Sequence, residues 1–347
     1  MSDRQKLKKR ELEFDLLRSI VILGSIILHF NTKFGLGLCA LPFQYIQDNL
    51  FTVGAFFFFT AGVMAYRVYL PRFQIDKALT AKHIIFKGLS IIGVYFAYIT
   101  LMRLATKTDF PAGFLNFTFS HPFFLKVLFT FGLLYILTPV FLQVAHVKQE
   151  YIYLGLVITY IVFLVLGDVR DMPGWLRMIC FDRHMLFYPI VPSLIVYFWG
   201  FSYGIIMANS RLSQKITGLL MGKIFLILLF LYLIFLAINM LFLKYIWANS
   251  NFVAPIREGL TIACFIVIAN GLLERFDGLR SRMSSDALLC LGTESLTAYV
   301  TANILIGLIR PVSGGMAKCI ILASILTVTY LIATWRHGYK YCAGISR

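Results

Sequence analysis

Residues 224–243 read IFLILLFLYLIFLAINMLFL, and Asn239 is the one strongly polar residue among these twenty positions. At about 1.5 Å of helical rise per residue, such a run extends roughly 30 Å, the thickness of the hydrocarbon core of a bilayer. No soluble fold requires an unbroken apolar helix of this length. The run therefore predicts a transmembrane helix.

The whole chain is also rich in hydrophobic residues and poor in charged ones. Of its 347 residues, 59% are hydrophobic and only 14% are charged, whereas a soluble domain carries roughly 25% charged residues. We expect an all-α polytopic integral membrane protein with about ten transmembrane helices that enclose a polar cavity, built as one domain over residues 1–347. Apolar runs lie near residues 14–34, 49–68, 84–104, 124–145, 151–167, 189–208, 223–246, 254–273, 287–308 and 316–335.

The distribution of charge predicts the orientation. With the basic tail of residues 1–13 placed in the cytoplasm, nineteen Lys and Arg residues fall inside and eleven outside, as the positive-inside rule requires. Both termini are then cytoplasmic, and the net charge of +16 needs no nucleic-acid partner. Asp15 and Arg18 interrupt the first apolar run and no small-residue cleavage site follows it, so we expect a retained span rather than a signal peptide.

The six cysteines show no CxxC pair and no metal-ligand spacing. Four of them lie in or beside apolar runs, where a thiol packs as a small hydrophobic group. The sequence therefore predicts neither a disulfide framework nor a metal site.

The first predicted span carries an ionisable stripe. Asp15, Arg18, Ile22, Ser25 and His29 follow one another at intervals of three or four residues. Eleven residues of helix rotate by about 1100°, so Arg18 and His29 share a face and lie about 16 Å apart along the axis. Ionisable groups inside a membrane are costly and usually face a partner or a cavity.

Two interpretations of the stripe stay open at this point. In a structural one, Asp15 pairs with Arg18, and His29 forms a hydrogen bond with a neighbouring helix. In a functional one, the cation anchors an anionic cofactor, and the imidazole transfers a proton or acts as a nucleophile near neutral pH.

A family resemblance favours the functional interpretation. The run Phe14-Asp-Leu-Leu-Arg18, with His29 after ten further residues, resembles the signature that opens the acyltransferase-3 family of membrane acyltransferases. Phe57-Phe-Phe-Thr-Ala-Gly62 is similar to the family's FFxxSG stretch, and Leu291-Gly-Thr-Glu-Ser295-Leu-Thr-Ala-Tyr299 to its LGxxSxxxY stretch. Members of this family O-acylate cell-surface carbohydrates.

The resemblance implies a substrate pair and a location. Acyl-CoA, with acetyl-CoA as the expected donor, approaches from the cytoplasm of a bacterial plasma membrane. A hydroxyl of an extracytoplasmic or lipid-linked carbohydrate accepts the acyl group, and no metal takes part. Membrane lipid, acyl-CoA and the carbohydrate are the expected partners.

The resemblance also implies roles for individual residues. Arg18 contacts the anionic CoA, with Arg67, Lys82 and Lys87 assisting at its phosphates, and Asp15 orients or partly neutralises Arg18. His29 acts as a general base on the hydroxyl or carries the acyl group as a nucleophile. The candidates for the substrate cavity are Ser25, Thr60, Glu294, Ser295 and Tyr299.

The chain departs from the family pattern at three places. Ala61 replaces the serine that many members have before the glycine, and Ala302 replaces a histidine that often closes the third stretch. The usual arginine pair after the second span appears as Lys82 and Lys87, with His83 between them. These departures concern the acceptor and the details of the mechanism more than the class.

Other polar residues have simpler alternatives. Ser295, Tyr299 and Asn303 share one helical face, which either packs through interhelical hydrogen bonds or lines a cavity. His121 and His184, in predicted outer loops, either assist the acceptor or are ordinary solvated histidines.

A different class of function is also open. In a transporter of a glycan or lipid intermediate, the stripe would line a permeation path with His29 as a proton relay. Against this, the chain lacks matching Gly- or Pro-broken spans in two halves. A non-catalytic interaction protein is disfavoured by the ionisable stripe.

Overall fold

Backbone polar groups in a bilayer find their partners most simply within a helix, and the apolar runs of this chain are helical. The computed structural model describes residues 12–37, 53–106, 126–166, 189–208 and 287–342, together with residues 173, 180, 181, 259, 262 and 266. These residues are 92% helical and include no strand. The all-α prediction is confirmed.

The helices overlap the predicted spans wherever both can be compared, and their ends differ from the predicted ends by up to seven residues. They are α1 (Leu12–Phe34), α2 (Val53–Met64), α3 (Leu70–Ile75), α4 (Lys77–Thr106), α5 (Lys126–Val147), α6 (Tyr151–Leu166), α7 (Ile190–Ala208), α8 (Ala287–Thr293), α9 (Ser295–Leu308) and α10 (Gly315–Cys342). A π-helical turn, Ala65–Tyr69, joins α2 to α3.

Five described helices are long and apolar enough to cross a membrane. They are Phe14–Phe34, Lys77–Leu104, Val127–Val147, Ile190–Ala208 and Gly315–Gly338. α6 and α9 are shorter apolar helices. Together they give the chain the character of an integral membrane protein.

Some predicted features lie outside the described residues. The predicted span 223–246 does so entirely, and the span 254–273 is represented by residues 259, 262 and 266 alone, each of them helical. His121 and His184 also lie outside the described residues.

One face of α6 shows where lipid is expected. Leu154, Ile158, Ile161 and Val165 recur at helical spacing, and each is more than half exposed. An exposed apolar stripe of this length is unfavourable in water and is suited to acyl chains.

Two differences from the predicted spans concern helix ends. The second span continues through the π-helical turn to Ile75, where Asp76 adopts an extended conformation and its carboxylate accepts a 2.9 Å bond from the N–H of Leu79 as the N-cap of α4. The ninth span is interrupted at Glu294, although bonds from Glu294 N to Cys290 O and from Ala298 N to Glu294 O continue the ladder at 3.0 and 2.9 Å.

The chain divides into two compact units. The terminal unit comprises Met1–Phe43, Leu220–Phe225 and Cys264–Arg347, and the central unit comprises Gln44–Leu219 and Leu226–Ala263. The terminal unit thus holds α1 and α8–α10, whereas α2–α7 belong to the central unit.

In the terminal unit, α1 runs parallel to α8 and α9. Asp15 lies beside Gly292 of α8, His29 beside Asn303 of α9, and Lys33 beside Ile306 of α9. Residue numbers therefore increase in the same direction along α1 as along α8 and α9. A Cβ on Gly292 would collide with the carbonyl oxygen of Asp15. Glycine is therefore the residue that allows α8 to approach α1 so closely.

In the central unit, glycines also bring helices together. A Cβ on Gly62 of α2 would collide with the carbonyl of Tyr197 on α7. Gly88 of α4 and Gly132 of α5 face each other, and a Cβ on either would lie 2.6 or 2.8 Å from the other's carbonyl oxygen. Gly62 and Gly292, both within motifs that carry the family resemblance, are thus required by packing.

Candidate active site

The imidazole of His29 meets the amide of Asn303 across the α1–α9 contact. His29 Nδ1 lies 2.6 Å from Asn303 Oδ1. The amide nitrogen Nδ2 of Asn303 donates a 2.7 Å bond to the carbonyl oxygen of Tyr299, one turn earlier on α9. Asn303 is fully buried and His29 partly buried.

These two bonds assign the proton on the imidazole. An amide oxygen only accepts, so Nδ1 of His29 must be the donor in the bond to Asn303. The neutral ring then carries its lone pair on Nε2. An imidazole in this tautomer can take a proton or attack a carbonyl carbon through Nε2.

Tyr299 and Ser295 lie on the same helix as Asn303. The ring of Tyr299 is buried, and its centroid is 5.9 Å from that of His29, with the planes inclined at 56°. Ser295 is partly exposed. The expectation of interhelical hydrogen bonding along this face is confirmed at Asn303, and cavity lining stays a prediction.

Asp15 and Arg18 form the other end of the stripe. Arg18 Nη1 lies 3.5 Å from Asp15 Oδ1, with the aspartate side chain 6% exposed and the arginine 19% exposed. Both contacts expected of a structural stripe, the Asp15–Arg18 pair and a helix-to-helix bond by His29, are therefore present. The bond made by His29 uses Nδ1 and leaves Nε2 as the basic nitrogen, so this bond is compatible with proton transfer or nucleophilic attack by Nε2.

The stripe faces protein rather than lipid. Asp15, Ile22 and Ser25 are buried, and Arg18 and His29 are partly buried. Of the large apolar side chains described on α1, Ile20 is the one that is exposed, at 49%. The polar groups of α1 thus avoid the cost of facing acyl chains.

Glu294 has a partner that the sequence did not reveal. Its buried carboxylate oxygen Oε2 lies 3.4 Å from Nε of Arg336 on α10, whose side chain is 51% exposed. The carboxylate is therefore paired with a cation in the terminal unit rather than buried as an isolated charge.

The other predicted donor-site cations belong to the central unit. Lys87 Nζ donates a 3.0 Å bond to the hydroxyl of Tyr69 and lies 4.9 Å from the ring centroid of Tyr135. Lys82 is exposed, with its ammonium 6.0 Å from the ring centroid of Phe86, and Arg67 is partly buried in the π-helical turn. All three cations therefore belong to the central unit, whereas Arg18 belongs to the terminal unit.

Thr60, also in the central unit, is a buried residue of α2. Its Oγ1 donates a 3.0 Å bond to the carbonyl oxygen of Phe57 in the same helix. A threonine inside a helix commonly makes such a bond. Its candidacy as a substrate-contacting residue therefore stays a prediction.

Sequence reasoning named Asn303 only as part of a polar face and gave Lys33 no role. Lys33 Nζ donates bonds of 2.7 Å to the carbonyl oxygens of both Ile306 and Gly307, in the last turn of α9. Helical spacing is the sequence feature that could have indicated both residues. Asn303 lies one helical turn after Tyr299, and Lys33 lies one helical turn after His29.

No family model matches the chain, and no curated protein matches it either. Within the described ranges, no three His, Cys, Asp or Glu side chains come together as metal ligands.

Proposed function

We propose that the protein is a membrane-embedded O-acyltransferase that moves an acyl group, acetyl first among them, from cytoplasmic acyl-CoA to a carbohydrate hydroxyl. The observation that carries the proposal is the bond between His29 Nδ1 and Asn303 Oδ1 at 2.6 Å. This bond supports the proposal because it leaves Nε2 as the basic nitrogen of an imidazole that shares its helical stripe with a cation, Arg18.

The proposed chemistry is direct transfer. Nε2 of His29 takes the proton of the acceptor hydroxyl while the oxygen of that hydroxyl attacks the thioester carbonyl carbon. The carbon–sulfur bond breaks, the CoA sulfur leaves with its electron pair, and the imidazolium returns the proton to it. The products are an O-acyl ester and CoA, with His29 restored. A covalent route, with the acyl group first on Nε2, uses the same atom.

Arg18 supplies the proposed contact with the CoA phosphates. Its pairing with Asp15 is long, at 3.5 Å, and engages one terminal nitrogen of a guanidinium whose fork geometry suits phosphate oxygens. Asp15 is proposed to orient the guanidinium through this contact. Arg67, Lys82 and Lys87 are proposed to assist, with the ammonium of Lys87 held by Tyr69.

We further propose about ten spans around a polar cavity, with both termini cytoplasmic in a bacterial plasma membrane. Helix directions support this order. Parallel packing of α1 and α9 requires an odd number of crossings between them, and seven spans are predicted there. α4 and α5, predicted as consecutive spans, pack antiparallel, because Gly88 meets Ile136 and Tyr95 meets Phe129.

Reporter fusions test this topology. A fusion after Arg347 is expected to report the cytoplasm, and one within residues 168–188 the opposite side. Reports from the same side at both positions would overturn the ten-span order.

The function is tested with purified protein in lipid nanodiscs supplied with acetyl-CoA labelled in the acetyl group. Label is expected to pass to water or to an added cell-envelope glycan, with release of CoA thiol, and a deletion strain should lose O-acyl groups from its envelope glycans. No turnover with any acyl-CoA, together with loss of glycan export in the deletion strain, would favour the transporter with His29 as its proton relay.

A further inference from the structure

We infer that Asn303 is the positioning residue of the site: it fixes the tautomer and the direction of the His29 imidazole, so that Nε2 is always the nitrogen presented for proton transfer. The inference rests on the proposed function for its catalytic consequence. Its structural content can be measured separately.

The orientation of the Asn303 amide is set by the backbone. Nδ2 donates to the carbonyl oxygen of Tyr299 at 2.7 Å, and a carbonyl oxygen accepts only from a donor. Rotating the amide by 180° would bring Oδ1 against that carbonyl and remove the bond. Asn303 has no exposed surface, so water cannot replace a bond lost in this way.

A fixed amide makes one tautomer of His29 strongly preferred. Oδ1 is an acceptor 2.6 Å from Nδ1, so the tautomer with its proton on Nε2 would place two lone pairs against each other. The same bond persists when the ring becomes an imidazolium, because Nδ1 carries a proton in both states. The amide therefore supports the neutral and the protonated ring without changing its own charge.

This arrangement predicts a specific defect when Asn303 is changed. Without the acceptor, the imidazole is free to carry its proton on Nε2, where it cannot remove one from a hydroxyl. An enzyme histidine held in the wrong tautomer loses turnover by as much as about 10⁴-fold. For Asn303→Leu, which keeps the side chain's size, we expect a fall in kcat of roughly 10²-fold or more with little change in the KM for acyl-CoA.

The direct measurement is the ¹⁵N spectrum of histidine-labelled protein in nanodiscs, with the His29 signals identified by their loss in His29→Gln. Wild-type His29 is expected to show a protonated Nδ1 and an unprotonated Nε2. The exposed His83 of α4 serves as an internal reference for an ordinary tautomer mixture. Asn303→Leu should move His29 toward the Nε2-protonated form.

Asn303→Asp is the variant that keeps an acceptor for Nδ1, because a carboxylate oxygen also accepts, although it loses the bond from Nδ2 to the carbonyl oxygen of Tyr299. It should keep the proton on Nδ1 and restore part of the turnover lost in Asn303→Leu. If Asn303→Leu does not fold, the wild-type and Asn303→Asp spectra still decide the tautomer.

A wild-type His29 protonated on Nε2 would overturn the inference. So would an Asn303→Leu protein that keeps the wild-type tautomer and loses only thermal stability, which is the result expected of a packing residue. A tautomer that shifts as expected in a protein without acyl transfer would uphold the geometry and reject the proposed function instead.

Discussion

The two units differ in what they bury. Among the described residues, the terminal unit buries two carboxylates and an amide, namely Asp15, Glu294 and Asn303. In the central unit, every buried polar residue that the structure describes is a hydroxyl residue: Thr60, Thr80, Thr130, Thr138, Ser193 and Ser202.

The difference matters because a hydroxyl can be satisfied locally. Thr138 donates a 2.7 Å bond to the carbonyl oxygen of Leu134 in its own helix, and its oxygen also lies 3.0 Å from the hydroxyl of Tyr197. A carboxylate or an amide oxygen needs a side-chain donor: Asp15 pairs with Arg18 of its own helix, whereas Glu294 and Asn303 find their donors on other helices. Polar groups therefore fix the helix partners of the terminal unit, whereas glycine contacts and aromatic packing dominate in the central unit.

The largest effect expected from this contrast is at His29. His29→Gln keeps a hydrogen-bonding group of similar reach that cannot take a proton near neutral pH, so acyl transfer should fall by about 10²- to 10⁴-fold. The measurement is turnover of labelled acetyl-CoA, with thermal unfolding in detergent as the check on folding.

His83→Gln is the matched control, since His83 is an exposed histidine of the central unit. It should leave turnover unchanged. Near-normal glycan acylation in His29→Gln would remove His29 from the mechanism. A histidine needed only for structure would tolerate Gln and lose stability with Ala.

The next effect concerns the donor. Arg18→Ala should weaken acyl-CoA binding by about 1.5–3 kcal/mol, the scale of a charge-assisted hydrogen bond. Calorimetry in detergent measures it, and Arg310→Ala is the control, because Arg310 is an exposed cation of the same unit on the predicted outer side. Equal affinities in the wild type and Arg18→Ala would take Arg18 out of the donor site.

The sequence predicted the helices well because they follow from hydrophobicity alone. A span must be long and apolar, and both properties can be read without knowing its neighbours. For this reason 151–167, expected as a span, is found as Tyr151–Leu166, and 189–208 as Ile190–Ala208. The polar stripe of α1 was visible for the same reason, since it depends on spacing within one helix.

Partners across helices could not be predicted in this way. His29 and Asn303 are separated by 274 positions in the chain, and Glu294 and Arg336 by 42. Nothing in the spacing of one helix tells which residue of another will face it. The division into two units likewise depends on contacts between distant segments, and the expected single domain stays a prediction.

A smaller effect is expected from the glycine contacts of the central unit. Gly88→Ala would place a Cβ 2.6 Å from the carbonyl oxygen of Gly132, which is backbone and cannot rotate away. Overpacking of this kind costs about 1–3 kcal/mol. The free energy of unfolding, measured by SDS titration in mixed micelles, should fall by that amount.

Gly93 provides the control within the same helix, because a Cβ there meets nothing within 4 Å. Gly93→Ala should be neutral or stabilising by up to about 1 kcal/mol, since alanine favours a helix over glycine. Equal stabilities in the two variants would show that α4 and α5 do not approach each other as closely as the structure has them.

The smallest effect is expected at Lys33. This residue tests whether a polar contact of the terminal unit can contribute to stability without taking part in the proposed reaction. Lys33→Met keeps the length of the side chain but removes the ammonium that bonds to Ile306 and Gly307, both at 2.7 Å. A cation at a helix C-terminus contributes about 0.3–1 kcal/mol, so the free energy of unfolding should fall by that amount. Turnover should stay within a few-fold of wild type, because the ammonium caps α9 one turn beyond Asn303 and does not bond to the imidazole. Lys82→Met, at an exposed lysine of the central unit, should leave stability nearly unchanged. A collapse of turnover in Lys33→Met comparable to that in His29→Gln would instead make Lys33 part of the reaction, and the distinction between capping and catalytic groups in this unit would fail.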